Sequence, residues 1–249
     1  MTKWFPFLLM FLAPLAQAQT ADEILDQAQT VRTVERSVQR VKMVLVSKSG
    51  SEREREMAIR ARRDGEVLKS LIRFESPSDV AGTTFLQLDD PEGDDEQMLY
   101  LPALRRVNRI SGSSRKGSFM GSDFSYEDLE LSPADDAKHT VVETTDTHWV
   151  IDSDPGSDSS YGRIRATVLK DTYLVKAVTF FNDDNEAVKE LEVTETQVVD
   201  GKTLARVSIM KTLKRKTATR LEVMEQRLDV PAEELPEEMF TKAYLERGS

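Results

Sequence analysis

The chain has 249 residues, 44 acidic against 34 basic, a formal net charge of -10 and no cysteine. An acidic balance argues against nucleic-acid binding, which needs a basic surface. The lack of cysteine excludes a disulfide framework, thiol chemistry, thiolate metal sites and the lipidated cysteine of a bacterial lipoprotein.

Residues 1–18 read as a secretory signal. Lys3 supplies a positive start, an apolar run follows from Trp4 to Leu15, and Ala16-Gln17-Ala18 gives the small-x-small cleavage pattern, with cleavage expected after Ala18. The run is shorter than the about 20 residues a permanent helical span needs. The mature chain, residues 19–249, is therefore expected in the periplasm, without an anchor, as a single domain. No Gly/Ser/Pro-rich linker divides it. Without Lys3 its charge is -11.

Thr20 and Glu23 stand at capping-box spacing, and Ile24, Leu25, Ala28 and Val31 recur at helical intervals. The period then changes to two. Val41, Met43 and Leu45 make one apolar face beside Arg40 and Lys42. After a turn at Ser47–Ser51, Met57, Ile59 and Ala61 alternate with Glu56, Arg60 and Arg62. Asp64-Gly65 is a hairpin signal, and Leu68, Ser70, Ile72 and Phe74 form the next dry face. Strands are expected at 83–88, 97–101 and 104–110, with an acidic loop at 89–96 and a turn at Pro102-Ala103. Residues 111–128 break the pattern: glycines and serines surround Phe119, Met120, Phe124 and Tyr126. A long loop carrying large apolar side chains is often functional. Strands resume after Pro133, at 140–152, 161–169, 172–181, 187–197, 202–213 and 218–228. The later ones are separated by turns at Lys170-Asp171, Asn182–Asn185 and Asp200-Gly201. A short helical or irregular piece around Met239, Phe240 and Leu245 ends the chain.

Chemistry is sparse. The two histidines, His139 and His148, fall an odd number of residues apart, which puts them on opposite sides of one strand, with no metal-ligand spacing around them. Ser122 and Asp123 sit in a glycine-rich turn without a Gly-x-Ser-x-Gly motif, so a secreted hydrolase ranks last. The paired aspartates at 89–90, 94–95, 135–136 and 183–184 suit turns. The Asp152–Asp158 stretch lacks the glutamate of a calcium loop at position twelve, where Arg163 stands. No nucleotide-binding glycine loop occurs, and no cofactor is expected. Arg105, Arg106, Arg109, Arg115 and Lys116 surround the apolar loop. They read either as the wet face of a hairpin or as an anion or headgroup site.

The run Arg105–Ile110, followed by Ser118-Phe119-Met120-Gly121-Ser122-Asp123-Phe124-Ser125-Tyr126-Glu127-Asp128-Leu129, resembles the periplasmic outer membrane lipoprotein-sorting proteins, a branch of the LolA-like superfamily. The resemblance implies a mainly β (α+β) fold: a curved antiparallel sheet forming an incomplete barrel, plugged by helices and a loop. It further implies a non-catalytic carrier that takes the acyl chains of lipoproteins or other lipids into an apolar concavity for transfer toward the outer membrane. An inner-membrane RND-type transporter and an outer-membrane acceptor would be its partners. The alternative is an accessory subunit docking on such a transporter or on an envelope complex. Alternation assigns Val41, Met43, Leu45, Met57, Ile59, Leu68, Ile72 and Phe74 to the lining. Phe119, Met120, Phe124 and Tyr126 would be the lid or plug, and Arg105, Arg106 and Arg109 the headgroup contacts.

Overall fold

The structure, a computed structural model, describes residues 19–247 except 33, 92, 94, 131–133 and 135, with only the backbone of Arg32. The secretory-signal segment, Pro133, Asp94 and Asp135 lie outside the described residues.

Helix α1 (Ala21–Arg32) opens on the expected capping box. The Thr20 N–H donates to Glu23 Oε2 at 2.9 Å, and the Glu23 N–H donates to Thr20 Oγ1 at 3.2 Å. Thirteen antiparallel strands follow: β1 (Arg36–Val46), β2 (Glu52–Asp64), β3 (Val67–Ser76), β4 (Thr84–Asp89), β5 (Glu96–Leu101), β6 (Arg106–Ile110), β7 (Lys138–Thr144), β8 (His148–Asp154), β9 (Arg163–Leu169), β10 (Val175–Phe181), β11 (Ala187–Val199), β12 (Lys202–Thr212) and β13 (Thr217–Leu228). They form one sheet in the order β6-β5-β4-β3-β2-β1-β13-β12-β11-β10-β9-β8-β7. Nearly all connections are hairpins between neighbours, such as the turn at Gly65 (φ 63) that brings Asp64 opposite Val67.

The sheet is not closed, because β6 and β7 are its two edges. These edge strands are consecutive in sequence. The segment between them must therefore cross the sheet from one side to the other. Phe74 on β3 and Phe180 on β10 belong to one apolar cluster with the crossing residues Phe119, Phe124 and Tyr126. Six strand steps separate β3 from β10, about 29 Å on a flat sheet at the usual strand spacing. A compact crossing can join both only because the sheet curls around it into an incomplete barrel.

The period of two sorts residues onto the two faces. The inner face carries Val41, Met43, Leu45, Met57, Phe74, Phe85 and Met210. Farther along the same face, α1 packs Ile24 and Ala28 on Trp149, Ile151, Ala166 and Val168. The outer face of β3–β5 is covered by the C-terminal segment. Val230, Leu235, Phe240 and Leu245, the last from α2 (Lys242–Glu246), pack on Leu71, Leu86, Met98 and Tyr100. The Arg36 and Arg62 side chains donate to the Val230 and Leu235 carbonyls at 2.8 and 2.9 Å and fix this strap.

Two expectations need correction. The single strand at 140–152 is a hairpin of β7 and β8. Thr145 Oγ1 accepts from the backbone N–H groups of Thr147 (3.2 Å) and His148 (3.0 Å) and builds the turn itself. His139 and His148 thus sit on adjacent strands rather than on opposite sides of one. The strand expected from Leu104 starts at Arg106, because Pro102–Leu104 form a 3-10 turn and Arg105 takes φ 47.

Candidate functional site: the filled inner face

The crossing segment folds as a miniature hairpin lying on the inner face. Ser118 and Ser125 form a bridge, the Phe119 N–H donates to the Phe124 carbonyl at 2.7 Å, and the Tyr126 N–H to the Gly117 carbonyl at 3.1 Å. Gly121 (φ 74) and Met120 (φ 51) make the tight end. This geometry turns Phe119, Phe124 and Tyr126 toward the sheet, where they are 1, 6 and 8% exposed. Phe119 meets Phe74, Phe85 and Tyr126 at ring-centroid distances of 5.8, 5.3 and 5.6 Å. Met120 is half-buried against the same cluster.

Polar side chains tie the hairpin down. The buried Asp123 accepts from the hydroxyls of Thr219 (2.8 Å) and Thr217 on β13, with Arg215 3.4 Å away. Asp128, whose side chain is 1% exposed, accepts from Lys189 Nζ (2.6 Å) on β11, from the Tyr161 hydroxyl (2.7 Å) and from the Ser125 N–H (2.7 Å). Burial first, then the Asp128 carboxylate, push the Tyr161 hydroxyl well above its ordinary value, so it remains a donor. Arg55 on β2 donates to the Met120 carbonyl and lies 5.9 Å from the Phe74 ring. Gln87 and Gln97 donate their amides to the Leu129 and Tyr126 carbonyls at 2.8 and 3.2 Å. Burial pushes the Glu130 carboxyl up, opposed by Arg115 beside it.

Among the lining residues named from sequence, Val41, Met43, Leu45, Met57, Ile72 and Phe74 join one buried cluster. Ile59 is half-buried against it, and Leu68 is buried farther along the same face of β3. The arginines do not converge. Arg106 and Arg109 lie three apart on β6 and so emerge on opposite faces. Arg109 pairs with Glu96 at 3.5 Å, and Arg105 occupies the exposed turn. The Ser122 hydroxyl bonds the Phe124 backbone (N–H to Oγ 3.2 Å, Oγ to carbonyl 3.4 Å), and His139 Nδ1 is 2.7 Å from the Ser153 hydroxyl. Sequence reasoning missed Arg55, Gln87, Gln97, Asp128, Tyr161, Lys189 and Thr219, which come from seven separate segments. The large apolar side chains of the loop stand out in the sequence; the distant partners of Asp123 and Asp128 do not.

An open antiparallel trough, filled by the crossing between its own edges, defines a LolA-like fold. A family model whose description reads "Uncharacterized protein", with the suffix "-like", matches residues 66–247, and the chain belongs to that family. Among solved structures, a DUF1329 family protein from Desulfovibrio piger is similar at 28% identity and a TM-score of 0.81, over 90% of this chain and 98% of that one. A domain from Vibrio parahaemolyticus, whose name assigns it provisionally to outer membrane lipoprotein sorting, is similar at 29% identity and a TM-score of 0.79, over 90% and 97%. A LolA superfamily protein from Nitrosomonas europaea, at 17% identity and a TM-score of 0.71 over 91% and 100%, shares the fold. No curated protein matches the chain significantly. Among the described residues no helix is long and apolar enough to cross a membrane.

Proposed function

We propose that the protein is a periplasmic carrier or chaperone. Its apolar inner face binds the acyl chains of lipoproteins or other lipids and passes them toward the outer membrane, without catalysing a reaction. The observation that supports this most is the nature of the plug. The trough is filled by a crossing hairpin, held by a handful of side-chain anchors, and not by a second sheet.

Magnitudes make exchange feasible. Burying Phe119, Phe124 and Tyr126 contributes about 2 kcal/mol each. A long acyl chain, at about 0.8 kcal/mol per methylene, contributes on the order of 10 kcal/mol gross. The two are close enough for a lipid to displace the plug and for the plug to help release it. Val41, Met43, Leu45, Met57, Ile59, Leu68, Ile72 and Phe74 would line the site, and Phe119, Met120, Phe124 and Tyr126 would act as the lid. The Vibrio relative's name agrees with lipoprotein cargo.

Titration with a fluorescent hydrophobic probe tests this reading. Micromolar binding, displaced by phospholipid or by a lipidated peptide, is expected. Phe119→Asp, which puts a charge beside the lining, should abolish it. A folded wild-type protein that takes up no probe would overturn the carrier reading in favour of an accessory subunit docking on an RND-type transporter.

A further inference from the structure

The inner face is apolar over most of its length, but not at the end where β1 begins. One register row crosses five strands there: Ser37 opposite Ala61, Ala61 opposite Ser70, Ser70 opposite Gln87, and Gln87 opposite Gln97. The adjacent row on the same face begins with Gln39 on β1 and is apolar from β2 to β5, through Ile59, Ile72, Phe85 and Leu99. One row beyond the polar one, charge begins with Arg63 and Asp89, the residues opposite Leu68. Across three successive rows the face thus passes from largely apolar to neutral polar to a row where Arg63 and Asp89 flank the buried Leu68. An amphiphile has the same order from tail through linkage to headgroup.

The polar row is buried: Ser37, Ser70, Gln87 and Gln97 are 5, 6, 4 and 7% exposed. Its serine and alanine side chains are short, so the floor lies low beside the two glutamines. The glutamine orientations are set by the crossing hairpin, because each amide nitrogen donates to a loop carbonyl. Gln97 Oε1 then has no hydrogen-bond partner among the described residues, although it is fully buried. A buried carbonyl oxygen without a donor is costly and rare, and it marks where a donor belongs.

We infer that this row is the polar end of the lipid site. It takes an uncharged hydrogen-bond donor, a hydroxyl or an amide N–H, attached at the carbonyl end of an acyl chain whose hydrocarbon lies over the neighbouring apolar rows. No residue of the row carries a charge, so a phosphate or carboxylate is not its ligand. The inference rests on the carrier reading and deepens it: that reading requires only an apolar trough, whereas the row selects among acyl compounds.

The test is competition for a bound fluorescent probe by two ligands with the same chain, 1-decanoylglycerol, which has hydroxyls, and methyl decanoate, which has none. The readout is the ratio of their displacement constants in the wild type, in Gln97→Met and in Ser70→Val. Gln97→Met removes the free acceptor at similar volume, and Ser70→Val fills the row without touching Gln97. Both variants should lower the preference for the glycerol ester over methyl decanoate, read as that ratio, by at least about fivefold. If Gln97→Met fails to fold, Ser70→Val alone decides. An unchanged ratio, with both ligands still displacing the probe, would mean that Gln97 meets only an ordered water; the inference then fails and the carrier reading survives. Failure of both ligands to displace the probe from the wild type would overturn the carrier reading and this inference together.

Discussion

Asp123 in the crossing hairpin and Thr219 on β13 hold each other twice. The Asp123 N–H donates to Thr219 Oγ1 at 2.9 Å, and that hydroxyl donates to Asp123 Oδ2 at 2.8 Å. Both residues are buried, Thr219 completely. One hydroxyl thereby serves a backbone donor and a carboxylate at once, the satisfied arrangement that a buried polar pair requires. Thr219→Val keeps the shape and removes both bonds. Urea unfolding should show a loss of about 1–3 kcal/mol. Faster amide exchange should be confined to residues near 117–126. Unaltered exchange there would show that the Asp123–Thr219 pair does not hold the hairpin.

The Lys189–Asp128 pair should behave as a buried ion pair. With side chains 15% and 1% exposed, removing either partner strands the other. Lys189→Met should cost about 3–5 kcal/mol, and Lys189→Met combined with Asp128→Asn distinctly less than the sum of the single changes. A double-mutant cycle in denaturant measures the coupling, and simple additivity would contradict the geometry.

Phe119 is the keystone of the plug, touching three other rings. Phe119→Ala should destabilise by about 3–5 kcal/mol, the usual cost of emptying a buried phenylalanine site. It should also raise, not lower, the uptake of a small apolar probe, because the vacated volume faces the lining. Calorimetry and fluorescence titration on the same preparation check both.

Asp152 on β8 sets a pH dependence far from the plug. The Arg165 hydrogen bond, opposed by partial burial and supported by the Arg165 and Arg163 charges, holds its carboxyl below the usual value. A lowered folded value means that the contribution is present above the unfolded carboxylate pKa of about 3.9. It is lost as pH falls through the folded value. Wild type should therefore lose more stability than Asp152→Asn on going from about pH 5 to about pH 3. Parallel curves in acid unfolding would contradict this.

The strands were legible because each carries one wet and one dry face, as in Arg40, Lys42 and their neighbours Val41, Met43 and Leu45. The hairpin in 140–152 was hidden because Thr144, Thr145 and Thr147 favour strands by composition, while the Thr145 hydroxyl builds the turn. Arg106 and Arg109, grouped by their closeness in sequence, are separated by the thickness of the sheet. The burial of the crossing segment was legible, since Phe119, Phe124 and Tyr126 stand in a glycine- and serine-rich segment. Its anchors were not, because Asp123 with Thr219 and Asp128 with Lys189 span 96 and 61 residues. The polar row was equally invisible, since Ser37, Ser70, Gln87 and Gln97 become neighbours only through strand register.

If the protein is a carrier, lipid occupies its inner face. This occupancy is tested most directly by native mass spectrometry, with lipid extraction, on the protein isolated from cells that express it. A population carrying phospholipid or an acylated protein, released by a competing hydrophobic probe, is expected. A uniformly unliganded mass, with no probe binding at micromolar protein, would contradict it.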